Sequence, residues 1–175
     1  MIHPTLAVLV GLWLAALQIS LFLSLQLLLS SAYLTFVVVI LAWIVGGAIG
    51  VWVPAGRWTL PLMLVAGVSP YLSFGLLAIA PYNTSLMGLH GLLITMTALY
   101  AGHFFQQERQ YYKHIGELFF WENNGFVLGL ILGVLGFVFY GRPFLYAIPA
   151  CGLIIVLGAF YARNAIDAGH STGEQ

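Results

Sequence analysis

The sequence predicts an all-α protein, a polytopic membrane bundle of six transmembrane helices with both termini on the same side. Three observations lead there. Of 175 residues, 62% are hydrophobic and only 6% are charged, where an ordinary soluble domain carries about 25% charged residues. Six separate runs reach the ~20 apolar residues needed to cross about 30 Å of hydrocarbon. Those runs are continuously apolar, whereas barrel strands alternate in segments of about ten residues. So little charge excludes a water-soluble enzyme and a disordered chain. Five Lys and Arg against five Asp and Glu exclude a nucleic acid partner bound by charge. A lone Cys151 excludes a disulfide framework and a cysteine-built metal site.

The spans are expected at Leu6–Leu29, Ala32–Val53, Leu60–Ala80, Ser85–Phe105, Phe119–Tyr140 and Pro143–Ala162. The first is too long for a cleavable signal peptide and has no Arg or Lys before it. The serine pair Ser30 and Ser31 separates it from the second. Pro54, Gly56 and Arg57 end the second span, because proline disfavours helix in the residue before it. Pro81 to Thr84 end the third, with Asn83 or Thr84 able to cap the fourth. Between Ala101 and Ile115 stands no proline and only Gly102, so the fourth helix is expected to continue past the bilayer as a polar extension. Gly141, Arg142 and Pro143 make a tight turn from the fifth span to the sixth, and such turns force antiparallel neighbours. The domain is expected to cover residues 1–163, followed by a polar, fraying cytoplasmic tail, 164–175.

Arg57, Arg109, Lys113 and Arg163 fall on one side and Arg142 alone on the other, so the positive-inside rule places both termini in the cytoplasm. Trp52, Trp58 and Trp121 then sit near the inner interface, and Tyr33, Tyr82 and Tyr140 near the outer one. The lipid bilayer is the expected surrounding, that of a bacterial inner membrane. Membrane helices associate by close packing of small residues. Such residues recur at Ala16, Ser20 and Ser24, at Ala42, Gly46 and Gly50, and at Gly125, Gly129, Gly133 and Gly136. They imply a tight bundle, and one stripe is free in this reading to serve a homodimer.

The run WIVGGAIG at 43–50, followed by Gly56 and Arg57, resembles the second helix of spermidine synthase-like membrane proteins. AALQ at 15–18 and the pair Ser30–Ser31 fit the same template, and GELFFWENNGFVLG at 116–129 is similar to the lead into that family's glycine-rich helix. The likeness runs from about Leu6 to Gly141. In that family a soluble Rossmann-like domain performs aminopropyl transfer. This chain carries neither that domain nor a glycine fingerprint between strand and helix. What the resemblance implies is the membrane module alone.

No catalytic set is visible: the sequence has no HExxH, no Walker motif and no paired carboxylates deep in a span. Autonomous aminopropyltransferase or hydrolase activity is not expected. Polar residues inside lipid are costly and mark function by default. Gln18 and Gln26 in the first span, His90 and His103 in the fourth, and Thr97 two turns beyond His90 on the same face are the candidates. Imidazole is a common haem ligand. The expected function is therefore a b-type haem protein for transmembrane electron transfer, with haem b on His90 and, second, His103. These lie thirteen residues apart, about 20 Å along a helix, so they serve two haems rather than one. His114, Met63, Met87 or Met96 are further ligand donors, and His103 and His114 share a face if the helix continues. A redox partner protein would follow. The alternative is a binding or transport module for a small amine or apolar molecule, built on Gln18, His90, Glu122 and Asn123, or a scaffold subunit of a larger membrane complex.

Overall fold

A computed structural model describes residues 2–29 and 32–171; Met1, Ser30, Ser31 and the last four residues lie outside the described residues. The order is α1 (Ile2–Leu29), α2 (Ala32–Val51), α3 (Thr59–Ile79), α4 (Met87–Glu108), α5 (Ile115–Tyr140) and α6 (Arg142–Ser171), with 3-10 turns at Thr84–Leu86 and Arg109–Tyr111. All six helices are long and apolar enough to cross a membrane, and the described residues contain no strand. The all-α bundle is therefore present as expected.

α1 is the central helix. It packs on α5, α6, α2 and α3, and Trp13, Leu14, Ala15, Ala16 and Leu17 are all buried in succession. A helix buried on every side must be apolar on every side, which is how its sequence reads. One core layer gathers around its first half, with Met63, Tyr100, Leu118 and Val156. A second surrounds its other half, with Val39, Phe74, Met87 and Ile94. The Trp13 indole N–H donates to the Pro149 carbonyl at 2.9 Å and ties α1 to α6.

Consecutive spans alternate in direction, so α1 and α5 run parallel, as do α2 and α4. These are the two most extensive packings in the molecule, and both are built on paired glycines. Gly11 faces the carbonyl of Glu122 while Gly125 faces that of Val8; Gly50 faces the carbonyl of Leu99 while Gly102 faces that of Gly47. A methyl group on any of the four would collide with those oxygens. Gly129 continues the first seam against Leu12 and Ala15, Gly133 meets Ile19, and Gly46 continues the second against Thr95 and Ala98. The glycine stripes are thus used inside the chain, and the homodimer expectation loses the small-residue face on which it stood. Ala16, Ser20 and Ser24 are buried too, but the side of α1 that receives α5 is the one carrying Val8, Gly11, Leu12 and Ala15.

The turns close as their residues dictate. Gly56 (φ +99°) and Gly141 (φ +68°) take left-handed conformations between α2 and α3 and between α5 and α6, which glycine adopts without steric cost. Tyr82 (φ 64°) has no such freedom, and its N–H bonds the Leu28 carbonyl at 2.7 Å, holding the α3–α4 turn against the end of α1.

One expectation needs correction. α4 does not extend past the bilayer as a helix: it ends at Glu108, turns through Arg109–Tyr111, and gives way to extended backbone at Tyr112 and His114. The break carries no proline or glycine. The chain must reverse here to begin α5, and Glu108 and Tyr111 are held by tertiary contacts that a straight helix would forgo. At the other end α6 runs on to Ser171, past the point where the sequence suggested a fraying tail.

Candidate functional site at the basic end of the bundle

The start of α1 and the ends of α4 and α6 meet at one end of the bundle. Glu108 on α4 and Arg163 on α6 form a short ion pair between Oε1 and Nη1, and each residue is only 2% exposed. Breaking one partner of a buried pair is far costlier than replacing both, because a lone charge is left out of water. The guanidinium lies between two aromatic faces, 5.3 Å from the Tyr111 ring centre and 4.9 Å from that of Phe160. His3 stacks on Tyr111 with ring centres 4.6 Å apart and planes inclined by 16°, and it meets Tyr112 edge-on.

The pair does not satisfy its neighbourhood. Glu108 Oε2, Arg163 Nε, the Tyr112 hydroxyl and His3 Nδ1 are all buried and have no hydrogen-bond partner among the described residues. Buried polar atoms are nearly always bonded, so four such atoms around one ion pair are unusual. His3 Nδ1 stands 3.9 Å from Glu108 Oε2, too far for a direct bond. Burial, together with the nearby Glu108 and Glu117 carboxylates, pushes the Tyr112 phenol up to about 12, against an opposing pull from Arg163.

A second polar node pins the α2–α3 turn to α4. His103 Nδ1 lies 3.3 Å from the Val53 carbonyl and Nε2 lies 3.0 Å from the Thr59 hydroxyl, while Gln107 Oε1 accepts the Gly56 N–H at 2.7 Å. The Val53 carbonyl can only accept, so Nδ1 faces it as donor, while the Thr59 hydroxyl that stands against Nε2 also donates to the Gly56 carbonyl at 2.9 Å. His90, one helix-length away, places Nδ1 2.8 Å from the Ser73 hydroxyl on α3.

These contacts test the haem expectation. An axial ligand must offer the iron a ring nitrogen, and both nitrogens of His103 are engaged by protein, so His103 does not fit. His114 is exposed on the connection before α5 and shares no helical face with His103. His90 alone keeps the arrangement of a ligating histidine, one nitrogen held by a neighbour. Among the described residues no cluster of three or more His, Cys, Asp or Glu side chains could hold a metal ion.

The remaining candidates scatter. The Thr97 hydroxyl bonds its own helix at the Leu93 carbonyl, 2.9 Å away. Gln18 borders an apolar cleft of about 240 Å³ between α1, α2 and α5, with Phe22, Phe36 and Phe126. Glu122 is buried at the α1–α5 seam, while Asn123 is exposed on the next position of the helix. Adjacent helical residues do not face one another, so these two do not form one amine site.

Sequence reasoning did not place Glu108 among the candidate site residues. It used Arg163 only as a topology marker and passed over His3. A signal was present: an arginine at the end of one apolar span, a glutamate at the end of another and a histidine before a third, all assigned to the same side. Comparison with known families, characterised proteins and solved structures returns no match. The likeness to spermidine synthase-like membrane modules therefore rests on the sequence segments alone.

Proposed function

We propose that this chain is a small membrane-embedded binding or transport module for a small polar molecule, which it takes up at the end of the bundle where α1 begins and α4 and α6 end. The observation that supports this reading is the group of four buried, unpartnered polar atoms around the Glu108–Arg163 pair. Such groups desolvate at a cost of about 1–3 kcal/mol each when left unpaired, and a ligand that pairs them recovers it. By the positive-inside rule this end faces the cytoplasm, and the cytoplasmic membrane of a bacterium is the setting that goes with it.

Thermal unfolding in mild detergent against a set of small polar metabolites tests the reading. At least one compound should raise the midpoint of the wild-type chain in a saturable way and fail to do so in Tyr112→Phe or Glu108→Gln. If no compound shifts the midpoint, or all shift the variants equally, the polar end is only a structural tie.

The redox reading now stands on His90 alone, favoured by the bond that orients its ring on Ser73. An oxidised-versus-reduced visible spectrum of protein produced with ample haem decides it. A Soret band that disappears in His90→Ala would put electron transfer in place of solute binding; a featureless spectrum leaves His90 as a tie between α3 and α4.

A further inference from the structure

The chemistry of the four unpartnered atoms narrows the class of ligand. Resting on the binding site just proposed, we infer that the ligand is a small zwitterion, a net-neutral molecule with an ammonium group at one end and an oxyanion at the other.

The first argument is charge balance. Glu108 and Arg163 carry opposite charges, and their side chains are 3% and 2% exposed. A ligand with net charge would leave an uncompensated charge beside a matched pair in a poorly solvated place, which is costly. A ligand whose own charges cancel brings no such penalty. An uncharged ligand also avoids it, but meets the site's charges only with neutral dipoles, and bonds with a charge on both sides are roughly twice as strong.

The second argument is directionality. Arg163 Nε can only donate and Glu108 Oε2 can only accept. The other faces of these same groups, Nη1 and Oε1, are already bonded to each other. A single incoming molecule that satisfies both remaining atoms must present an acceptor to Nε and a donor to Oε2. The Tyr112 hydroxyl is free to donate to the same oxyanion, and burial keeps it protonated well above neutral pH. An ammonium group supplies the donor with the charge that Oε2 prefers.

The third argument is access. The charged pair is closed off, but His3 above it is 29% exposed in its side chain and stands in the first turn of α1. Its ring neighbours among the described residues are Tyr111 and Tyr112. On this inference a donor reaches Glu108 Oε2 from the side of His3, whose Nδ1 stands 3.9 Å from it. Exposed charges of both signs, Arg109, Lys113 and Glu117, rim this end, so the approach does not select a net charge.

Equilibrium binding to the full chain in nanodiscs tests the inference. The probes are radiolabelled glycine, β-alanine and γ-aminobutyrate, which vary the separation of the two charges, with ethylamine, acetate and acetamide as the cationic, anionic and uncharged controls. At least one zwitterion should bind saturably, and each control roughly tenfold more weakly or not at all, since ethylamine and acetate each leave one charged atom unpaired and acetamide meets both only with neutral dipoles. Tyr112→Phe should weaken the zwitterion, and His3→Ala should speed its release without abolishing binding. Both changes lie outside the ion pair, so they keep the test independent of a folding defect in Glu108 or Arg163 variants. Binding of acetate alone, ethylamine alone or acetamide as tightly as the zwitterions would overturn the ligand class while leaving the site a solute site. Binding of none of the six would overturn this inference, while the broader metabolite set decides whether the end of the bundle binds any solute.

Discussion

Gly50 and Gly102 stand opposite one another where α2 crosses α4, and each faces the backbone carbonyl three residues before the other. Neither helix can approach more closely, and neither tolerates a methyl group at that point without backing away. Gly102→Ala should therefore lower the unfolding free energy by about 1–3 kcal/mol, the range for overpacked cores. Gly75 on α3 has open space where a Cβ would go and is the control. Gly75→Ala should be neutral or slightly stabilising, because alanine loses less backbone freedom in a helix. Thermal unfolding of both variants in the same detergent checks the pair; equal midpoints for the two would remove the crossing from the account.

The Glu108–Arg163 tie should respond asymmetrically to substitution. Removing one partner by Glu108→Ala strands the guanidinium and should cost about 3–5 kcal/mol. Replacing both, with Glu108→Leu and Arg163→Met together, should return most of that stability, because no buried charge is left unmatched. A double-mutant cycle on unfolding midpoints measures the coupling. The double variant should at the same time lose all solute binding.

Tyr112 makes a pH prediction whose sign follows from its surroundings. Its phenol is raised from 10.0 to about 12, first by burial and then by Glu108 and Glu117. The folded state therefore holds this proton more tightly than the unfolded state does. The stabilisation is complete below pH 10, declines as pH rises from 10 towards 12, and is gone above that. In Tyr112→Phe the alkaline slope over that window should flatten, as read from unfolding midpoints at closely spaced pH values.

His103 is a latch in this structure, joined to Val53 and Thr59 through its two ring nitrogens. His103→Ala should raise hydrogen exchange in the α2–α3 turn, residues 53–59, and leave the amides of α5 unchanged. A local effect of this kind follows because the hydrogen bonds of the node join that turn and the start of α3 to α4. Exchange that rises evenly across the molecule would show instead that His103 supports the whole bundle.

The class of the protein was legible in its sequence, and so were six spans, to within four residues at every end but that of α6, since continuous apolar runs and Pro-Gly turns are local signals. The glycine seams were half legible. Gly46, Gly50, Gly125 and Gly129 were picked out by spacing, whereas Gly11, at four-residue spacing from Ala7 and Ala15, and Gly102, four after Ala98, were passed over and gain meaning from the helix that faces them. The end of α4 was not legible, because Arg109 to His114 hold no breaker and the chain turns there for tertiary reasons. The polar cluster was hidden for the same cause. His3, Glu108 and Arg163 are separated by 105 and 55 positions in the chain, and sequence periodicity reports neighbours on one helix, not partners across three. His90 and His103 drew attention as lone imidazoles in apolar runs, and the hydroxyls that engage them, Ser73 and Thr59, lie on a different helix.

The pairing of α1 with α5 also sets a timetable. Gly11 and Gly125 are separated by 114 positions, and ribosomes add about 5–20 residues per second. The first helix therefore resides in the bilayer for roughly 6–20 s before its principal partner has been made. During that interval its buried serines and Gln18 must find other company, whether lipid, the insertion machinery or the helices already present. A chain interrupted after α3 would hold a central helix with neither α5 nor α6, and a second helix without α4. Such a fragment has neither glycine seam, which makes the last three spans the point at which quality control can tell a complete molecule from an abandoned one.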